Sequence, residues 1–320
     1  MTGGSGLNRF SRVSLRRLFG ALLHFSGLRW LPLEYGDKLP PGLCRRLRAY
    51  LLHYYQLHPV AAEGWVGLPG LPVRLYCDLA DHMVEPLLHA QGEPHEWGEI
   101  RHMAVHRQSG DVLFDVGANH GIWGFALASF EPRNARVVFF EALPRLANRL
   151  RKSAAANPTL AAEIVECAIG DMDDSLIDFY LPMEQYSGLG STVLGDVQRR
   201  VNFLSENRKL TVLGRSLDSY IEEHQVERLD FVKIDVEGGE DAVLRGALRT
   251  FGRLRPRLVM IETAHDSWTT SRMRGFGYCA YRLNASGLPV ALTEVPFWGN
   301  IFFVVNERAD EVGLTSGIDE

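Results

Sequence analysis

From Asp111 onward, short apolar runs alternate with helical segments, and nothing else in the sequence restricts the possible folds so strongly. DVLFDVG precedes a helical pattern at 121–130, and ARVVFFEA precedes another at 144–156. AEIVECAIG follows, then DFVKIDVEG before a helix at 239–248, then PRLVMIE before one at 267–275. Continuous apolar runs are strands buried on both faces, and helical crossovers make such strands parallel. The pattern therefore predicts a doubly wound α/β sheet. Two late runs, Tyr278–Leu283 and Ile301–Val305, have no long helix between them and predict an antiparallel hairpin at the sheet edge. The stretch 182–210 is polar, rich in small residues and long for a connection, which marks it as a lid or substrate loop.

The region before the sheet has a different character. Residues 1–60 carry nine Lys/Arg against two acids, a balance of +7, which leaves −12 on the remainder. An acidic body argues against a nucleic-acid partner. Within the basic arm, residues 9–31 read as an amphipathic helix suited to packing on the main domain, on a second copy of the chain, or on a membrane surface. The apolar run Leu18–Leu28 is too short to span a bilayer, and Arg29 stands where a signal peptide would carry small residues. A second helix is predicted over 40–58, then a hairpin of Gly64–Leu68 and Val73–Cys77 around Pro69-Gly70. The expected division is a helical extension, 1–62, and a main domain, 63–320. Cys44, Cys77, Cys167 and Cys279 lie far apart with no C-x-x-C, which suits four reduced thiols and a cytoplasmic location.

The first βα turn, Asp115-Val116-Gly117-Ala118-Asn119-His120-Gly121, uses glycines for a tight turn at the carboxyl end of a strand, where open α/β sheets bind ligands. Its spacing departs from the G-x-G-x-x-G of a pyrophosphate cradle, and Asp115 would repel a diphosphate. An acid there suits a ligand with an ammonium group, such as the amino acid end of S-adenosylmethionine. About 20 residues on, Glu141 ends the next strand, where a carboxylate can accept ribose hydroxyl protons. Strand alternation places Lys233, Asp235 and Glu237 on one side of DFVKIDVEG, a costly burial unless the charges are paired or used.

The two segments DVGANHG and LDFVKIDVEGGEDAVLRGA resemble the FkbM family of S-adenosylmethionine-dependent methyltransferases. Asp81, the Gly92-to-Glu99 segment, AIGD at 168–171, GST at 190–192, SLDSYIEEH and RPRLVMIE ending at Glu262 match in the same order. The likeness is good over about residues 73–262 and loose over 263–305, and His120 replaces a residue that is usually apolar in the family. It implies a Rossmann-like class I fold, with a seven-stranded, mostly parallel sheet and an antiparallel edge, and O-methylation of a hydroxylated small molecule or glycan; the alternatives are a cofactor-binding scaffold without turnover, or methyl transfer to another acceptor class such as RNA. Carried over by position, Asp115, Gly117, Ala118, Asn119 and Gly121 would surround the methionine portion and Glu141 the ribose. Ala168, Ile169 and Gly170, with Asp171, would lie near the adenine. Asp235 would lie beside the sulfur, and Glu237 and Glu262 would point into the acceptor pocket.

Methyl transfer to an alcohol needs a base for the hydroxyl proton. Asp235, Glu237, Glu262 and His265 are the candidates, and His265 has the most suitable unperturbed pKa. The three carboxylates would alternatively hold Mg²⁺, a reading placed behind the side-chain base. His102 and His106 lack the Glu of a zinc helix and read as an ordinary helix face. Tyr186, Trp268 and Trp298 are the aromatics available to stack on a sugar ring.

Overall fold

In the computed structural model the described residues are 17–26, 28, 39–58, 63–88, 93–131, 134–181, 208–292 and 296–314. The chain divides into two compact units, Met1–His95 and Glu96–Glu320.

In the first unit residues 17–25 are helical and α1 spans Pro41–Leu57. Proline opens α1, where its missing N–H is no loss, and Cys44, Leu51 and Tyr54 are buried. Strands β1 (Glu63–Gly67) and β2 (Arg74–Asp78) form the expected antiparallel hairpin. It is grouped with α1 because β1 and α1 both touch a 3₁₀ turn at Glu85–Leu88.

The second unit begins with α2 (Trp97–Ala104). Then follow β3 (Val112–Val116), α3 (Ile122–Ser129), β4 (Arg136–Phe140), α4 (Pro144–Ala156), β5 (Ala161–Val165) and β6 (Ala168–Ile169). Next come β7 (Ser175–Leu181), β8 (Arg208–Arg215), α5 (Leu217–Glu223), β9 (Phe231–Ile234), α6 (Glu240–Arg245) and α7 (Leu248–Arg253). The unit continues with β10 (Leu258–Ala264), α8 (Trp268–Gly275), β11 (Tyr278–Leu283), β12 (Pro289–Ala291) and β13 (Trp298–Val305).

The main sheet has the order β12-β11-β13-β10-β9-β3-β4-β5. Strands β5, β4, β3, β9 and β10 are parallel, while β13 runs antiparallel between β10 and β11. This is the expected Rossmann-like class I methyltransferase architecture, with one short strand, β12, beyond the seven foreseen. The two late runs do pair antiparallel, but the later one is inserted inside the sheet. Completely apolar β13 residues such as Ile301 and Phe303 favour that interior place, being fully buried there.

AEIVECAIG reads as one run in the sequence but splits in the structure. Residues 161–165 join the main sheet, whereas Ala168–Ile169 pair with β8 in a second sheet of order β6-β8-β7. β7 and β8 pair from Ser175↔Gly214 to Leu181↔Arg208, so the end of the expected 182–210 loop is strand. The rest of that loop, including Tyr186, lies outside the described residues.

The core is aromatic where helix meets sheet. Phe114, Phe140 and Tyr220 of α5 are buried and meet edge to face at 4.9–5.7 Å. Ser216 caps α5 by accepting from the Ser219 N–H at 3.1 Å. At the amino ends of β3, β9 and β10, buried Asp111 accepts from Arg107 Nε (3.1 Å), Arg228 (3.0 Å) and Arg257 (2.7 Å). Asp230 accepts from Arg228 Nε (2.7 Å) and the Val112 N–H (2.9 Å). No disulfide joins the four cysteines, and no described helix is long and apolar enough to cross a membrane.

Candidate active site

At the opposite, carboxyl ends of β3, β4 and β9, three loops meet. The glycine turn takes left-handed backbone at Gly117 (φ +80°), Asn119 (φ +51°) and Gly121 (φ +73°). A Cβ on Gly117 would sit 1.9 Å from the Asp235 carbonyl oxygen, so this glycine lets the turn lie directly against the end of β9. The Gly117 and Ala118 N–H groups both donate to the Phe140 carbonyl at 3.0 Å. The turn is thus tied to the strands on either side.

Two buried carboxylates organise this joint. Glu141 Oε2 accepts from the Asn119 N–H at 2.7 Å and Oε1 from the Leu143 N–H at 2.9 Å. Burial pushes the Glu141 carboxyl up to about 7, against the pull of its backbone donors. Asp115 lies beneath the turn, 1% exposed, with Oδ2 accepting from the Gly124 N–H at 3.1 Å. Its other oxygen, Oδ1, is buried with no hydrogen-bond partner. Burial pushes Asp115 up to about 7 as well, partly offset by Lys233 and the Gly124 N–H.

A cleft open to solvent is bordered by Gly117, Asn119, Glu141, Asp235 and Glu237 on its polar side. Leu143, Leu146, Cys167, Ala168, Ile169 and Phe179 form an apolar wall. Burial pushes the Cys167 thiol up to about 12, which keeps it a neutral part of that wall.

The third loop carries the charges of β9. Buried Lys233 places Nζ 3.1 Å from Asp235 Oδ2 and 2.8 Å from Glu96 Oε2. Burial alone would lower the Lys233 ammonium, but Glu96, Asp235 and Asp115 outweigh it and raise it. Glu96, left-handed at φ +59°, also accepts from Asn300 Nδ2 at 2.7 Å. Asn300 of β13 lies opposite Glu262 of β10. Beyond Asp235 the chain turns through Glu237 (φ +57°) and Gly238 (φ +95°). Glu240 holds that turn, accepting from the Val236 (3.2 Å) and Gly238 (3.0 Å) N–H groups. Burial raises its carboxyl pKa. Among the described residues, Asp235, Glu237 and Glu262 each place an oxygen within 4.8 Å of the others, a set that could hold a metal ion.

The sequence-predicted residues divide on this geometry. Gly117, Asn119, Glu141, Ala168, Ile169, Asp235 and Glu237 border the cleft, and Glu262 is brought to its acidic side. Ala118 is buried in the turn, and Gly121 precedes α3, where a Cβ would meet Leu150 and Phe125 side chains. The Gly170 N–H is used by the Arg215 carbonyl (2.9 Å), and the Asp171 carboxylate by Arg245 Nε (2.8 Å). Neither is among the residues that border the cleft.

His265 Nδ1 accepts from the Phe297 N–H at 3.2 Å. A ring whose Nδ1 accepts carries its proton on Nε2 and offers a donor there, so the nitrogen that could take a proton is already engaged. His120 is buried. His102 Nε2 lies 2.7 Å from the Tyr281 hydroxyl, and burial, with His106, lowers it to about 4, as a packed helix face would. Trp268 and Trp298 are 42% and 58% exposed. Sequence reasoning missed Glu96, Asn300 and Glu240. Only Glu240 had a local signal, an acid opening a helix just after Gly-Gly.

A family model described as "Methyltransferase FkbM domain" matches residues 115–283. A curated relative, "AMB antimetabolite synthetase AmbE" of Pseudomonas aeruginosa, is 27% identical over 289 residues, 80% of this chain. The chain spans only 13% of that protein's length. Among solved structures, "Methyltransferase FkbM from Methylobacillus flagellatus" is 18% identical over 62% of this chain and 44% of that one, with a TM-score of 0.39. "M. jannaschii TYW2 in complex with AdoMet" is 13% identical over 76% of this chain and 85% of that one, with a TM-score of 0.38.

Proposed function

Since the chain belongs to the FkbM family of methyltransferases, we propose that it transfers the methyl group of S-adenosylmethionine to a hydroxyl of a small molecule or glycan. The observation that carries this reading is the joint at Asn119. There the backbone N–H of the glycine turn meets the Glu141 carboxylate at 2.7 Å, and both residues border the cleft. The residues also fit the cofactor by what they lack. Asp115 Oδ1, Asn119 Oδ1 and Asp235 Oδ1 are buried acceptors with no partner, and such atoms call for donors or a cation.

When bound, the cofactor supplies a methyl group activated by a sulfonium. Asp115, Gly117, Asn119 and the start of α3 would hold its amino acid portion, and Glu141 would accept from the ribose hydroxyls. The wall of Cys167, Ala168, Ile169, Phe179 and Leu146 suits a flat purine. Asp235, fixed through Lys233, would flank the sulfonium. The acceptor's proton passes to a carboxylate during attack, and we assign that role to Glu262, with Glu237 beside it. Glu262 sits on a strand in register with Asn300, so its position is held by the sheet. Holding the hydroxyl in line with the methyl is the larger part of the task.

The grouping of Asp235, Glu237 and Glu262 within 4.8 Å favours a second reading, in which Mg²⁺ acidifies the hydroxyl. The Lys233 ammonium 3.1 Å from Asp235 weighs against it by repelling a divalent ion. Calorimetry with S-adenosylhomocysteine, in EDTA and again with Mg²⁺, tests both. Micromolar binding in both conditions supports the cofactor assignment and a side-chain base. Binding only with Mg²⁺ supports the second reading, and no binding in either overturns the proposal.

A further inference from the structure

We propose that the helical extension docks on an anionic lipid surface through Leu18, Leu22 and Phe25. Residues 17–25 are helical, and spacings of four and three put these side chains on one stripe. They are 59%, 53% and 79% exposed. The opposite side of the helix is already used. Gly20 is buried, and a Cβ there would lie 2.3 Å from the Tyr50 carbonyl oxygen, so the helix backbone rests directly on α1. The His24 ring lies 5.1 Å from that of Tyr54, and Phe19 stacks on Tyr50 at 5.5 Å. An ordinary surface helix turns its apolar stripe inward. Here the contact with α1 orients that stripe outward.

Charge selects the occupant. The first 60 residues carry +7, and Arg17 and Arg46 are exposed. An exposed apolar stripe among basic residues gains twice at an anionic membrane, from apolar burial and from attraction to the headgroups. A second copy meeting the same stripe would bring two +7 segments together. A nucleic acid would use the arginines but gain nothing from exposed leucine and phenylalanine. With no described helix able to span a bilayer, the helix lies along the surface.

The test is cosedimentation of the full chain with phosphatidylcholine vesicles and with mixed phosphatidylcholine–phosphatidylglycerol vesicles, at low and high salt. Binding to the mixed vesicles that weakens with salt is the expected result. The double variant Leu22→Ser/Phe25→Ser should bind at least about tenfold more weakly, with an unchanged thermal melt, because it loses two inserted apolar groups. Arg17→Glu, which keeps the stripe, should weaken binding severalfold. Failure to bind the mixed vesicles, or equal binding by the double variant, overturns the proposal. So does a dimer, seen by light scattering, that the double variant dissociates, since the stripe then belongs to a second copy.

Discussion

The two ends of the parallel sheet handle buried acids in opposite ways. At the amino end, Asp111 and Asp230 meet three arginines and backbone N–H groups, and every carboxylate oxygen has a partner. At the carboxyl end, Asp115 and Asp235 each keep a buried oxygen with none, and burial holds Asp115 and Glu141 up near 7. Both ends cost desolvation energy, and at the carboxyl end Lys233 and the backbone N–H groups recover only part of it within the chain. Acids whose every oxygen is paired serve the fold, even though Arg257 Nε stays buried without a partner there, whereas unsatisfied acceptors beside a cleft are poised for a ligand.

Substitutions at each end can break this contrast. The largest expected effect is at the amino end. Asp111→Ala leaves arginines buried without their acid and should cost about 3–5 kcal/mol of stability, read as a shifted urea midpoint. Asp115→Ala should do the reverse, weakening S-adenosylhomocysteine binding by about 100-fold or more in calorimetry while costing little stability. A large loss of stability with intact binding would make Asp115 a second structural acid. Glu262→Gln should lower turnover by about 10²–10⁴-fold with cofactor affinity nearly unchanged, whereas His265→Ala should cost less than about tenfold.

The smallest effect sharpens the comparison through pH. For Asp115 and Glu141 the folded-state pKa is raised to about 7 from ordinary values of 3.8 and 4.5, so the ligand-free protein holds more protons than the unfolded chain between those limits. Their contribution to stability is therefore greatest at low pH and falls as pH rises towards 7. If ribose hydroxyls donate to ionised Glu141, S-adenosylhomocysteine affinity should rise over the same window, and Glu141→Gln should flatten that rise. Affinity independent of pH in the unmodified protein would remove Glu141 from the ribose role.

The turn from Asp115 to Gly121 and the carboxylate Glu141 were legible because their signals are local: a strand, glycines at a tight turn, an acid at the next strand end. The alternation of apolar runs likewise determined the parallel sheet, since a strand covered on both faces needs apolar residues throughout. Where each late strand would sit was not legible. Ile301 and Phe303 look the same in sequence at an edge or in the interior, and only competition for sheet positions placed β13 inside. Asp171 reads as a site acid along the chain, and only the fold shows that its carboxylate meets Arg245. Glu96 lies in the Gly92-to-Glu99 segment that matches the family, but its role was not legible there, because its partners Lys233 and Asn300 reach it only when α2, β9 and β13 pack together. The sequence by itself determined the layers, the glycine turn and the acids at the strand ends, because backbone geometry and apolar burial act over a few neighbouring residues. Tertiary structure decided which of those acids are neutralised and which still lack a partner, because charge pairing depends on distances that only the folded chain sets.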